Sequence, residues 1–176
     1  MTPPFSDTVH IRELYASDRE PIREIVKATG FFSPEEVDVA IELVDEALEK
    51  PDQQDYFFGV AVCPDGGSKS SVSGYVCFGE RPLTEGTYDL YWIVVNPDAQ
   101  RGGVGRALMR WAERRIHERG GRIVLAETSG KPEYDSTREF YKRIGYREEA
   151  RLVDFYRPGD DLVMFTKHLG NAAIFV

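Results

Sequence analysis

A chain of 176 residues, 41% apolar and 30% charged, suits a single globular domain, spanning 1–176, with a substantial core. Its net charge of −8 and pI near 5.0 argue against tight nucleic-acid binding and are compatible with a cationic amine as substrate. No apolar run reaches the length of a membrane span and the first residues lack signal-peptide character, so no membrane partner and a cytoplasmic residence are expected.

In chain order, residues 8–14 alternate as a first strand. Ser17 or Asp18 can cap a helix to about Thr29, with Ile22, Ile25 and Val26 inward. Ser33-Pro34-Glu35-Glu36 starts a second helix, whose Val37, Ala40, Ile41, Val44 and Leu48 recur at helical spacing until Pro51. Residues 55–63 and 71–79 are two strands joined by a loop at 64–69. Cys63 and Cys77 lie in these strands as small apolar residues. They form no metal spacing, His10, His117 and His168 are scattered, and no metal site is expected.

Residues 80–86 lead back, antiparallel, into a strand at 88–95 dense in β-branched and aromatic residues. Asn96-Pro97-Asp98 breaks it. Gln100–Arg106 then opens a helix with Val104, Leu108, Trp111 and Arg115 on one stripe, flanked by Ala107, Ala112 and Ile116. Glu113 and Glu118 fall on the remaining, polar faces, and Gly120-Gly121 ends the helix. Residues 122–128 form a strand parallel to 88–95, reached by a right-handed crossover. A helix at 133–144 carries Phe140, Tyr141 and Ile144, with Gly145 as C-cap. A hairpin of 147–156 and 161–167 closes the pattern. The apolar tail at 170–176 suits core packing, a homodimer interface or disorder equally.

The turn before the long helix carries the chemistry. The first amides of a helix have no intrahelical partner and lie at the positive end of its dipole. Gly102, Gly103 and Gly105 would let an anion approach them closely, although an ordinary tight connection has the same composition. The turn lacks the Gly-Lys-Ser/Thr ending of a P-loop and the G-x-G-x-x-G of a dinucleotide fold.

Gln100, Gly103 and Gly105 do have the spacing Q-x-x-G-x-G. This resembles motif A of the GNAT N-acetyltransferase superfamily, and the likeness runs from Tyr88 to Lys167. The resemblance implies an α/β GNAT fold, a mixed and mostly antiparallel sheet of about seven strands splayed at its middle and flanked by about four helices. It also implies acetyl-CoA as cosubstrate, with Gln100, Arg101, Gly102, Gly103, Val104, Gly105 and Arg106 around the pyrophosphate. Backbone groups of Ile93, Val94 and Val95 would take the pantetheine arm and polarise the thioester carbonyl. Residues 135–146 resemble N-x-A-x-x-x-Y-x-x-x-G-F, which places Tyr141 as the acid that protonates the leaving thiolate, with Asp135, Thr137 and Phe140 along the cofactor. Asp135 stands where the family has asparagine, and an ionised carboxylate can only accept hydrogen bonds. Thr128 and Ser129 could bond the pantetheine or the substrate, or cap the following turn.

An amine acceptor with a pKa near 10 also needs a base. Asp89, fourteen positions before Gly103, matches the place of a glutamate base in histone-type members. Glu127 is its rival, with Glu80 further back. The expected reaction is acetyl transfer to a primary amine of a small molecule or peptide, by direct attack in a ternary complex. The competing function is a non-catalytic acyl-CoA-binding module on the same fold. In the family reading the first two helices lie over the acceptor. The acids Asp38, Glu42, Asp45 and Glu46, or Asp160 and Asp161, could draw cations or be solvated surface.

Overall fold

The computed structural model describes residues 9–63 and 71–170. The loop at 64–69 and the tail at 171–176 lie outside them. The described residues form seven strands and four helices, in the order β1 (His10–Arg12), α1 (Arg19–Ala28), α2 (Pro34–Glu49), β2 (Phe57–Cys63), β3 (Ser71–Glu80), β4 (Thr87–Val95), α3 (Val104–Glu118), β5 (Ile123–Ser129), α4 (Asp135–Arg143), β6 (Arg147–Arg157) and β7 (Asp160–His168). Single 3₁₀ turns precede α1 and α4 and follow β4. The sheet order is β1-β2-β3-β4-β5-β7-β6. The β4/β5 pair is parallel, whereas β1/β2, β2/β3, β5/β7 and β6/β7 are antiparallel. The parallel register runs from Thr87↔Ile123 to Leu90↔Ala126 and stops there, although β4 continues to Val95 and β5 to Ser129. That is the expected splay.

The chain groups into two compact units, Met1–Phe78 with Trp92–Ala112, and Gly79–Tyr91 with Glu113–Val176. In the first, α1 and α2 bury Ile22, Val26, Ile41 and Val44 in a core shared with Val60, Tyr75 and Val94. Local chemistry sets the start of α2. Ser33 Oγ accepts from the Glu36 amide at 3.2 Å while Glu36 accepts from the Ser33 amide at 2.8 Å, and Pro34 fills the first turn. The expected cap of α1 is different. The Asp18 carboxylate accepts from Arg12 and from the Tyr15 amide instead, because a guanidinium offers it a stronger, two-point partner than a helix amide does. Of the α2 acids singled out in the sequence, Asp38, Asp45 and Glu46 are paired, with Arg23, Arg19 and Lys50. On the first half of α3, Val104 and Leu108 come within van der Waals reach of Gly74 on β3. A side chain there would meet the Val94 carbonyl at 2.7 Å, so glycine at 74 lets the helix mouth lie close to the end of β4.

The buried stripe of α3 is Val104, Leu108, Ala112 and Ile116, joined by Met109 and Glu113. This corrects the sequence reading, since Trp111 is only partly covered, Arg115 is exposed, and Glu113 is inside. Glu113 is admitted by Lys167 of β7, whose Nζ reaches its two carboxylate oxygens at 3.0 and 2.8 Å. In the second unit α4 lies with β7: the Tyr141 ring packs on Tyr146 and Phe165 at 5.6 and 5.5 Å. Gly145, at φ 93°, ends the helix as expected.

Burial pushes the hydroxyls of Tyr75, Tyr141 and Tyr146 and the thiol of Cys77 above their ordinary pKa values. In the unfolded chain these groups ionise at about 8.5 to 10. Their raised folded values mean that this stability is intact below the unfolded pKa values and is lost as pH rises through the folded ones. The urea midpoint is expected to fall steadily above about pH 9, where the unfolded state begins to lose protons that the folded state keeps. A midpoint that stays level to pH 11 would contradict the burial of these groups.

Candidate active site

The turn after β4 is built in steps. The Asn96 side chain accepts from the Asp98 amide at 3.1 Å, and the Asn96 carbonyl accepts from the Ala99 amide at 2.8 Å, so the strand ends in a tight 3₁₀ turn. Arg101 and Gly103 then adopt φ values of 66° and 82°. Left-handed residues of this kind rotate successive amides toward one side of the backbone, the geometry of an anion nest. The Ala107 amide bonds the Gly103 carbonyl at 2.9 Å, the first helical bond described for α3. The amides of Val104, Gly105 and Arg106 therefore stand ahead of the ladder. A Cβ placed on Gly103 would meet nothing within 4 Å, so the space over the turn is open to a ligand. Arg101 and Arg106 are exposed beside it, as is Gln100. The residues present thus fit a diphosphate. Of the β4 residues expected to hold the pantetheine, Val94 is buried and Ile93 and Val95 are half-buried, all beyond the β4/β5 register.

Tyr141 is 4% exposed, and burial holds its hydroxyl protonated beyond the ordinary tyrosine range. Among the described residues, the hydroxyls of Tyr75 and Tyr146 are sealed without a hydrogen-bond partner, and that of Tyr141 is not one of these sealed groups. Phe140 and Thr137 are half-buried on the same helix. Asp135 is exposed and its carboxylate is taken by Arg138. Thr128 is buried, and the Ser129 hydroxyl donates to Asp160.

The two candidate bases share one cation. Arg81 Nη1 donates to Asp89 Oδ1 at 2.8 Å and lies 4.0 Å from Glu127 Oε1. The hydrogen bond to Asp89 raises the Arg81 pKa. The Asp89 side chain is 17% exposed and that of Glu127 43%. Glu80 is exposed at the end of β3. Arg81 was not singled out in the sequence, though the return from β3 to β4 places position 81 beside Thr87 and Asp89, as its amide bond to the Thr87 carbonyl shows. Asp160 is also no solvated acid: it is buried and paired with Ser129, Lys131 and Arg157.

A strand that outruns its parallel neighbour, then a left-handed glycine turn and a helix mouth, is the arrangement that the resemblance to CoA-dependent acetyltransferases implies. The chain belongs to the acetyltransferase (GNAT) family, whose profile matches residues 11–146. It is an acetyl-CoA-dependent acetyltransferase with the α/β GNAT fold. Among solved structures, it is 43% identical to a protein from Desulfovibrio desulfuricans described as an acetyltransferase of the GNAT family, with a TM-score of 0.86 over 93% of this chain and 100% of that one. An aminoglycoside 6'-N-acetyltransferase complexed with coenzyme A has the same fold at 15% identity and a TM-score of 0.69, over 90% and 96% of the two chains. So does the ribosomal-protein-S18-alanine N-acetyltransferase from Escherichia coli, at 17% identity and 0.68, over 94% and 98%. No match was found among curated protein sequences. No helix among the described residues is long and apolar enough to cross a membrane.

Proposed function

We propose that this protein transfers the acetyl group of acetyl-CoA to a primary amine of a small molecule or peptide, by direct attack in a ternary complex, with residues 1–176 working as one catalytic domain. The observation that carries it is the turn at 101–106, where left-handed backbone and the amides ahead of the α3 ladder form a cradle for the diphosphate. Direct attack is favoured over an acetyl-enzyme because neither Cys63 nor Cys77 stands at a motif position, and Cys77 is buried with its thiol pushed up by that burial. Backbone groups of Ile93–Val95 orient the thioester and polarise its carbonyl. As the tetrahedral intermediate collapses, the C–S bond breaks and Tyr141 gives its proton to the sulfur.

Glu127 is the base we favour, acting through water. Asp89 is held by Arg81 at hydrogen-bond distance, so its carboxylate is already engaged by a cation. Glu127 has only the longer 4.0 Å contact. Glu127→Gln is expected to lower kcat/KM by about 10²-fold at neutral pH and to recover toward wild type as rising pH deprotonates the amine itself. An Asp89→Asn enzyme showing that pattern, with Glu127→Gln unaffected, would reverse the assignment.

The reaction is tested by free-thiol release with acetyl-CoA against polyamines, amino acids, aminoglycosides and peptide N-termini. At least one amine should stimulate release. Tyr141→Phe should lower that turnover by about 10²-fold while acetyl-CoA affinity stays near wild type. Release with none of these acceptors would leave an acyl-CoA-binding protein, and unchanged turnover in Tyr141→Phe would end its role as acid.

A further inference from the structure

We infer that Arg138 is a positioning residue, which sets the Tyr141 hydroxyl for proton delivery by locking α4 to the turn after β5. The inference rests on the reading of Tyr141 as the acid. It begins with the shortness of α4, whose nine residues cannot hold a helix unaided. The helix starts without a side-chain cap hydrogen bond. Arg138 ties the front of α4 to its surroundings and is one of two α4 residues that are buried, the other being Tyr141 three positions on and on the same face.

A guanidinium is buried at a cost that only satisfied donors offset. Arg138 Nη1 donates to the carbonyls of Ser129 and Lys131, the latter at 3.0 Å, and Nη2 pairs with Asp135. The turn it holds is itself anchored to β7. The Gly130 amide bonds the Asp161 carbonyl at 2.8 Å, the Ser129 hydroxyl bonds Asp160, and the Lys131 amide returns to Ser129 Oγ at 3.1 Å. Arg138 thus connects the acid-bearing helix to a fixed point of the sheet. The far end of α4 is held separately, by Lys167 Nζ on the Ile144 carbonyl at 3.0 Å. Without Arg138 the front of α4 loses its tie to the turn, and the packing of the Tyr141 ring on Tyr146 and Phe165 is left to set the orientation of its hydroxyl alone. Displacement of a reacting group by about 1 Å can cost 10²-fold in rate.

The test is a double-mutant cycle. Arg138→Gln and Arg138→Lys are made in the wild-type chain and in Tyr141→Phe, with kcat and the acetyl-CoA KM read by thiol release below the melting midpoints of all variants. Arg138→Gln should lower kcat by about 10- to 100-fold with the acetyl-CoA KM changed less than about threefold. Arg138→Lys, which keeps a cation able to reach one carbonyl, should recover part of that loss. In the Tyr141→Phe background, Arg138→Gln should change kcat by less than about twofold, because the group it positions is gone. Equal losses in both backgrounds, or a loss confined to KM, would overturn this assignment and leave Tyr141 as the acid. An unchanged kcat in Tyr141→Phe alone would remove the acid and the positioning role together.

Discussion

Gly103→Asp is expected to reduce acetyl-CoA affinity by at least about 100-fold, seen in calorimetry as loss of the binding isotherm, while the protein still folds. Two effects combine. At φ 82° any L side chain is strained, at roughly 1–2 kcal/mol, which falls on the free and bound protein alike and does not by itself weaken binding. The carboxylate then occupies the open space over the turn, where the diphosphate would sit, and like charges repel in a partly desolvated cradle. Gly103→Ala separates the two, carrying the strain without the charge, and should retain much of the affinity. The turn tolerates a left-handed residue with a side chain already, at Arg101 with φ 66°, so folding should survive. Undiminished affinity in Gly103→Asp would show that the diphosphate lies elsewhere.

What could be read in advance follows from the range of the interactions. The start of α2 was legible because Ser33, Pro34 and Glu36 meet each other within one turn. The glycine turn and its two flanking elements were legible for the same reason. Asp18 misled because its partner Arg12 comes from the preceding strand, outside any helix pattern. Both candidate bases were visible as carboxylates on strands, but their ranking depends on Arg81, which only the β3/β4 return brings to them. The edge strand β6 was found, but its apolar residues do not face a core. The register slips between Leu152 and Arg157, Asp154 turns left-handed at φ 54°, and Val153, Phe155 and Tyr156 end up exposed. A bulge of this kind leaves no mark in an alternating pattern. Arg138 sits in the helix as one more charge until the carbonyls it binds are seen.

Glu113 was the deepest miss, and it leads to the largest expected change in stability. It is 2% exposed, and its partner Lys167 lies 54 positions away, so nothing local distinguishes it from a solvated glutamate on a helix. Lys167 satisfies both carboxylate oxygens, donates to the Ile144 carbonyl at the end of α4, and lies 5.6 Å over the Tyr146 ring. Burial, and with it the nearby Glu113 charge, raises the Tyr146 hydroxyl pKa. Lys167→Met leaves a buried carboxylate with no counter-ion and an unpaired carbonyl at the helix end. A loss of about 3–5 kcal/mol is expected, a fall in melting temperature of roughly 10 °C for a chain of this size. Glu113→Leu with Lys167→Met removes both charges and should recover most of that loss, because an apolar pair of similar volume needs no desolvation. Single and double variants that melt alike would mean that the pair contributes through its charge attraction alone. A single variant costing less than about 1 kcal/mol would mean that water reaches the pair in solution.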